Sequence, residues 1–415
     1  VNSVSGSGED GAVVSVGTDQ TGVDSVAPAS TAGGPRGADG RLGRDDVLPG
    51  IVAVSCALGL WTTITWLAAR SAGYPPLDTE SWGRWDTGWY RTIAQDGYSL
   101  ARCIDVPNRT SEDYCGAAGW FPGFPYLMRV VADVTGSSVD TAGRAIAVVA
   151  LTVMFAVLWF GFLAKRPLTQ SAPAMVLAAA FPAGVYYGAI FPVSIVTASM
   201  IGALALMQRQ RWLAAGICAM AATIAYPSGL MFGAAALVPF LDPRIGSLRQ
   251  RVGAAARVAV PVAVAYLAVL ANLERAVGRW DGWFRVQESY GYEPTWPTTT
   301  VLDQLRFIPD PETSAWIGVE TLFILVVVVT CVWIGVRSWH VLGSGERAVL
   351  FVGFALWLPP LVLGGDLSLY RAESLLVVSV VLLGRLRPPA IWAFALAAIP
   401  IAYNMAQLFF AGVLI

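Results

Sequence analysis

From Leu48 onward the chain is a succession of long apolar runs separated by short polar breaks, and no other feature constrains its fold as strongly. A helix needs about 20 residues to cross a hydrocarbon core of about 30 Å, where each backbone polar group must be satisfied within the protein. Runs at roughly 48–70, 142–164, 171–189, 191–207, 213–225, 228–241, 254–274, 315–336, 348–365, 370–386 and 390–413 reach or approach that length. They predict an all-α polytopic membrane protein with about eleven crossings. The halves around Tyr226-Pro227 are short, and a broken or re-entrant helix reads the same way. Charged residues make up only 13% of the sequence, against about 25% in ordinary soluble domains, which points away from a soluble fold.

Residues 1–46 are rich in Gly, Ser, Thr, Ala and Asp without apolar periodicity, and are expected to form a disordered tail. The apolar run that follows is too long for a secretory signal and lacks a convincing cleavage site. The membrane domain is expected to occupy 47–415. Counting crossings in order gathers Arg36, Arg41, Arg44, Lys165, Arg166, Arg209, Arg211, Arg244, Arg249, Arg251, Arg337, Arg347, Arg385 and Arg387 on one side. The positive-inside rule makes that side cytoplasmic, the N-terminus included. Two long loops, about 71–141 and 275–314, then lie together on the outer face. The count treats 120–135, WFPGFPYLMRVVADVT, as an interfacial helix, which its aromatic, Pro-rich start and internal Arg129 suit.

The net charge of −1 supplies no basic stripe, so no nucleic-acid partner is expected. A single histidine, His340, nearly excludes a His-based triad or a multi-His metal site, and no cluster calls for a metal. Cys56, Cys218 and Cys331 fall in apolar runs and read as small core residues. Cys103 and Cys115 share one polar loop, where they either bridge or stay as thiols. Chemistry is left to carboxylates, Arg, Tyr and amides.

Both outer loops carry an Arg-Trp-Asp string, RWDTGWYRTIAQDGY at 84–98 and RWDGWFRVQESYGY at 279–292. The first surrounds Asp86 with Trp85, Trp89, Tyr90 and Tyr98. Each ring alone reads as part of an interfacial belt. A carboxylate among rings is less easily explained so, because it can take a proton from a hydroxyl while the rings stack on sugar faces. Asp78, Glu80 and Asp96 read as loop or turn charges. The second string offers Asp281, Gln287 and Glu288 with Trp280, Trp283 and Tyr290; no helical period repeats with it, so it reads as a second wall of the same cavity. Arg371, in GGDLSLYRAESLL, needs an anion at its depth; Asp366 or Glu373 supplies it in a structural reading, and a lipid phosphate in a functional one.

WDTGWYRTIAQDGY, followed by GWFPGFPYLMRVV, resembles the signature of the PIG-V-like mannosyltransferases. These are integral-membrane glycosyltransferases of the GT-C class, related to the second mannosyltransferase of GPI-anchor synthesis and common in actinobacteria. The matching positions are Trp85-Asp86, Trp89-Tyr90, Ile93-Ala94, Gly97-Tyr98 and Phe121-Pro122-Gly123-Phe124-Pro125. FPAGVYYGAIFPVS, RVQESYGYEPTWP with Gln287, and SLYRAESLL with Arg371 extend the likeness over most of the membrane region, more weakly. Two positions depart from it. Pro192-Val193-Ser194 stands where the family has a Ser-Glu-Ser type turn, and Ala225-Tyr226-Pro227 where it has Thr-Arg before a Pro or Gly.

The resemblance implies transfer of mannose from a polyprenyl-phosphate donor to a glycolipid, lipoglycan or protein hydroxyl on the outer face of the cell membrane. Asp86 would act as general base in an inverting displacement and Arg371 would steady the departing phosphate. Trp85, Trp89, Tyr90, Tyr98, Phe121, Pro122, Phe124, Asp281 and Gln287 would contact substrate. No cofactor or metal is implied beyond the lipid-linked sugar itself. Two rival readings remain: a lipid or solute transporter, suggested by the Tyr226-Pro227 break, and a silent scaffold or partner subunit, suggested by the two departures.

Overall fold

The computed structural model describes residues 44–106, 111–291, 293–309, 314–363 and 369–414. Of the expected tail, 1–43 lies outside them, and helix α1 (Arg44–Ser71) already begins at Arg44. The fold is all-α, apart from a two-stranded antiparallel ribbon of β1 (Ala101–Arg102) and β2 (Tyr114–Cys115).

After α1 come two helices of the first loop, α2 (Thr87–Gln95) and α3 (Gly123–Thr135). The expected interfacial helix is thus present as α3, which buries Phe124, Pro125, Met128 and Ala132 and exposes Val130 and Val134. Arg129 finds its use there: it donates to Ala94 O and Gln95 O, carbonyls left open at the end of α2. Next follow α4 (Val139–Leu158, continued by a π turn Trp159–Leu163), α5 (Leu168–Ala179), α6 (Val193–Gln208) and α7 (Trp212–Ala225). The chain continues with α8 (Val238–Leu241), α9 (Leu248–Val277), α10 (Gly282–Glu288) and α11 (Pro297–Leu305). The last are α12 (Ala315–Ser338), α13 (Ser344–Val362), α14 (Leu369–Ser374), α15 (Val380–Leu383) and α16 (Pro388–Phe410).

Among the described residues, six helices are long and apolar enough to cross a bilayer: Val47–Ser71, Val139–Leu163, Leu248–Val277, Ala315–Val341, Ser344–Val362 and Pro388–Phe410. The expected eleven runs thus divide into six long helices and shorter apolar ones, Val193–Gln208, Trp212–Ala225 and Pro227–Leu241 among them. The run 171–189 is α5, which stops at Ala179 ahead of Phe181-Pro182, then a 3-10 turn at Gly184–Tyr187. The run 228–241 is a 3-10 stretch Pro227–Leu237 plus α8, and 370–386 is α14, a 3-10 turn Leu375–Ser379 and α15. The stretches 171–208 and 369–384 are almost wholly buried by protein. Neighbouring protein there can satisfy backbone that is not helical, which a segment facing lipid could not do.

One end of the helix set is held by buried ion pairs. Arg347 Nη1 lies 2.7 Å from Asp242 Oδ1, both side chains fully buried, and Ser344 donates to the same carboxylate. Glu346 receives Arg166 at 3.0 Å and Arg385 at 2.6 Å. Arg166, Arg347 and Arg385, from three of the short polar breaks, take part in these pairs. The long loops carrying both aromatic strings come together with the far end of α13 (Ala355–Leu363) around a single cavity.

Candidate active site

Asp86 occupies the N-cap position of α2, yet its carboxylate makes no capping bond. Thr87 holds the turn instead, accepting from Arg84 N and donating to Ile190 O. Trp85, just before it, has φ +40°, a left-handed conformation costly for a residue with Cβ. Such strain persists only where the surroundings over-determine it. Here Trp85 packs edge-on against Phe409 with ring centroids 5.6 Å apart. The turn aims Asp86 at Arg371 of α14, and the two form an ion pair across 285 residues of sequence.

Asp86 is thus a partner of Arg371. Of the partners expected from sequence, Glu373 faces Glu320 instead, and Asp366 lies outside the described residues. The Arg371 side chain is 8% exposed and that of Asp86 19%, so the pair is desolvated but open on one side. Phe191 lies under the guanidinium at 5.2 Å. Besides the Asp86 contact, α14 is held where Tyr370 OH donates to Gln304 Oε1 of α11 at 2.6 Å and Tyr187 OH to Ser374 O at 2.7 Å. Tyr90, Tyr186 and Tyr226 ring the pair. Burial pushes the Tyr90 phenol well up, and the Asp86 carboxylate adds to the rise, so it stays a neutral donor.

The pair lies in the wall of a cavity of about 810 Å³. One part of the lining is aromatic: Trp85, Trp89, Tyr90, Trp120, Phe121, Tyr226, Tyr266 and Trp283. Trp89 stacks on Trp120 with centroids 4.8 Å apart and planes 20° apart, giving a broad flat face. Another part is aliphatic, from Leu230 and Met231 to Ala355, Leu356, Pro359, Pro360 and Leu363. Leu363 is 48% exposed, so this arm reaches the outer surface of the molecule. Glu288 and Tyr290 stand at the cavity wall from the second loop.

The sequence-selected residues divide accordingly. Asp86, Trp85, Trp89, Tyr90, Phe121, Gln287 and Arg371 line the cavity; Tyr98, Pro122, Phe124 and Asp281 do not. Tyr98 donates to Trp120 O and Phe124 packs edge-on against Tyr90, so both support the lining from behind. Pro122 caps the start of α3. Asp281 lies outside the lining and is gripped by Arg279 and Arg285 at 3.0 Å each. The Arg279 hydrogen bond, with Arg285, draws its carboxyl down to about 2. Gln287 donates to Gly119 O at 3.2 Å, tying α10 to the first loop, where any Cβ on Gly119 would meet Val286 at 2.6 Å. Cys103 and Cys115 are bridged, closing the ribbon beside that contact.

Trp120, Tyr226 and Tyr266 also belong to the lining. Trp120 sits within the quoted WFPGFP string, and Tyr226 registered only as a helix break; Tyr266 lies mid-run in α9 and gives no local signal. Among the described residues no three His, Cys, Asp or Glu side chains gather as metal ligands.

No family model matches the chain, and no curated protein does either. Among solved structures it is similar to the oligosaccharyltransferase of Archaeoglobus fulgidus, tethered to an acceptor peptide containing the NVT sequon through a disulfide bond. That match has 14% identity and a TM-score of 0.49, covering 88% of this chain and 55% of the other. The same enzyme in complex with Zn and sulfate matches with 14% identity and a TM-score of 0.48, covering 86% and 53%. The chain thus spans about half the length of that enzyme.

Proposed function

We propose that this chain is a membrane glycosyltransferase of the GT-C class, moving mannose from a polyprenyl-phosphate donor to an acceptor hydroxyl at the outer membrane face. The observation that carries the reading is the Asp86–Arg371 pair in a cavity with an aromatic part and an aliphatic arm. A lipid-linked sugar has the matching parts: a sugar for ring stacking, a phosphodiester for a guanidinium, and an isoprenoid chain for an aliphatic surface.

The donor phosphodiester takes up the Arg371 guanidinium, which frees the Asp86 carboxylate. As the acceptor oxygen attacks the anomeric carbon, its proton passes to Asp86. The new C–O bond forms as the bond to the phosphate oxygen breaks, with inversion. The lipid phosphate leaves as an anion steadied by Arg371. A phosphate is a weak base and leaves without a proton, so one carboxylate suffices where glycoside hydrolases need two. The Trp89–Trp120 face and its neighbours exclude water, whose attack would hydrolyse the donor.

The test is incubation of the nanodisc-reconstituted protein with radiolabelled polyprenyl-phosphate mannose and a lipid extract of its host. Label appearing in a new glycolipid supports the reading. Donor binding without transfer favours the silent scaffold, and, with the protein in sealed liposomes, label crossing the bilayer unchanged favours a transporter.

A further inference from the structure

Beneath the Asp86–Arg371 pair lie two carboxyls that the proposed chemistry does not use. Glu320 of α12 is 0% exposed and Glu373 of α14 is 1% exposed. Their side chains face one another. Among the described residues no Lys, Arg or His pairs with either, and neither receives a hydrogen bond from any other group. A second observation ties them to the site. The Tyr186 hydroxyl, on a ring 1% exposed, has no hydrogen-bond partner and lies within electrostatic reach of Glu320, Arg371 and Asp86 alike.

Two carboxylates cannot face each other, dry and without a cation, with both ionised. A proton held between them turns mutual repulsion into a hydrogen bond across two helices. Glu373 is two residues from Arg371 on a helix of only six. The bond therefore acts on α14 together with the Tyr370–Gln304 and Tyr187–Ser374 bonds.

We infer that Glu320 and Glu373 form a proton-sharing carboxyl pair that docks α14 on α12 and so positions the Arg371 guanidinium for the donor phosphate. The second half of this inference rests on the reading of Arg371 given above; the first half does not.

The experiment uses full-length protein in nanodiscs with E320Q, E373Q and E320L. Infrared spectra report the acid C=O stretch, amide hydrogen exchange reports the docking of Leu369–Ser374, and titration with a polyprenyl phosphate reports the anion site. We expect an acid band in the wild type that changes in both E320Q and E373Q. Both Gln variants keep a donor for the bond, so exchange and polyprenyl-phosphate affinity stay at the wild-type level. E320L loses the bond, and both exchange across Leu369–Ser374 and the dissociation constant rise about tenfold. An acid band that responds to neither Gln variant overturns the shared proton. Wild-type exchange in E320L, or loss of docking in E320Q equal to that in E320L, overturns the positioning role. Should wild-type protein fail to bind polyprenyl phosphate while band and exchange behave as expected, the docking stands and the phosphate role of Arg371 falls.

Discussion

Replacing Arg371 by Gln separates two roles that the ion pair gives this residue. In the free protein the guanidinium engages Asp86 and holds the base in check; in the reaction it must neutralise the leaving phosphate. Loss of one preorganised donor to a developing anion costs about 2.7–4 kcal/mol in comparable sites. The Asp86 side is 19% exposed, so solvent screens part of this and we take about 2–3 kcal/mol. At 1.36 kcal/mol per decade that is a fall of about 30- to 150-fold in kcat/KM. Arg371→Lys retains the charge but loses the planar fork, and falls about tenfold. The assay is transfer from radiolabelled polyprenyl-phosphate mannose in nanodiscs, normalised to folded protein by size-exclusion profile. A kcat/KM for Arg371→Gln within threefold of wild type, or above it, refutes the phosphate role and leaves Arg371 only as a restraint on Asp86.

Asp281→Asn removes an anchor and no chemistry: turnover at saturating donor persists while KM rises, read from the same assay. The Asp281 carboxyl is depressed to about 2 in the folded chain, so its contribution to stability is present above its unfolded value near 3.8 and is lost as pH falls towards 2. Acid unfolding of wild type followed by tryptophan fluorescence therefore steepens in that window, and the Asn variant lacks the step. Cys103→Ser with Cys115→Ser opens a short loop whose bridge is worth about 3 kcal/mol by chain entropy; polyprenyl-phosphate affinity falls and matches that of reduced wild type. Arg347→Met takes the buried cation from Asp242, which keeps Ser344, Arg244 N and the half-exposed Arg244 guanidinium at 3.7 Å, and destabilises by about 3 kcal/mol, seen as a lower Tm in detergent, with transfer per folded molecule unchanged.

The six long helices were legible because each meets a fixed length requirement set by the bilayer. The stretches 171–208 and 369–384 were not, because a segment buried on all sides carries no periodicity to separate crossing from core. At the site, Asp86 and Arg371 each stood out as charges in an apolar chain. Their pairing did not, since neighbours in sequence such as Glu373 offered a closer partner than one 285 residues away. Asp281 sits in a string that copies the composition around Asp86, yet it lies outside the cavity lining. The difference was readable in the spacing: Arg279 and Arg285 lie at i−2 and i+4, the latter a salt-bridge distance on a helix. Asp86 has Arg84 at the first position, but that side chain turns to Phe410 O, and Tyr90 stands at the second. The Glu320–Glu373 contact joins α12 to a helix of six residues, and no local pattern announces it.

The central claim is that Asp86 is the base of a sugar transfer from a lipid-linked donor. The direct measurement is transfer of radiolabelled mannose from polyprenyl phosphate to a host lipid extract by wild type and Asp86→Asn, side by side in nanodiscs, with donor binding measured for both. We expect a labelled glycolipid with wild type and a loss of turnover of at least about a hundredfold in the variant, with donor still bound. Equal transfer by both proteins, or none by a wild type that binds the donor, would contradict it.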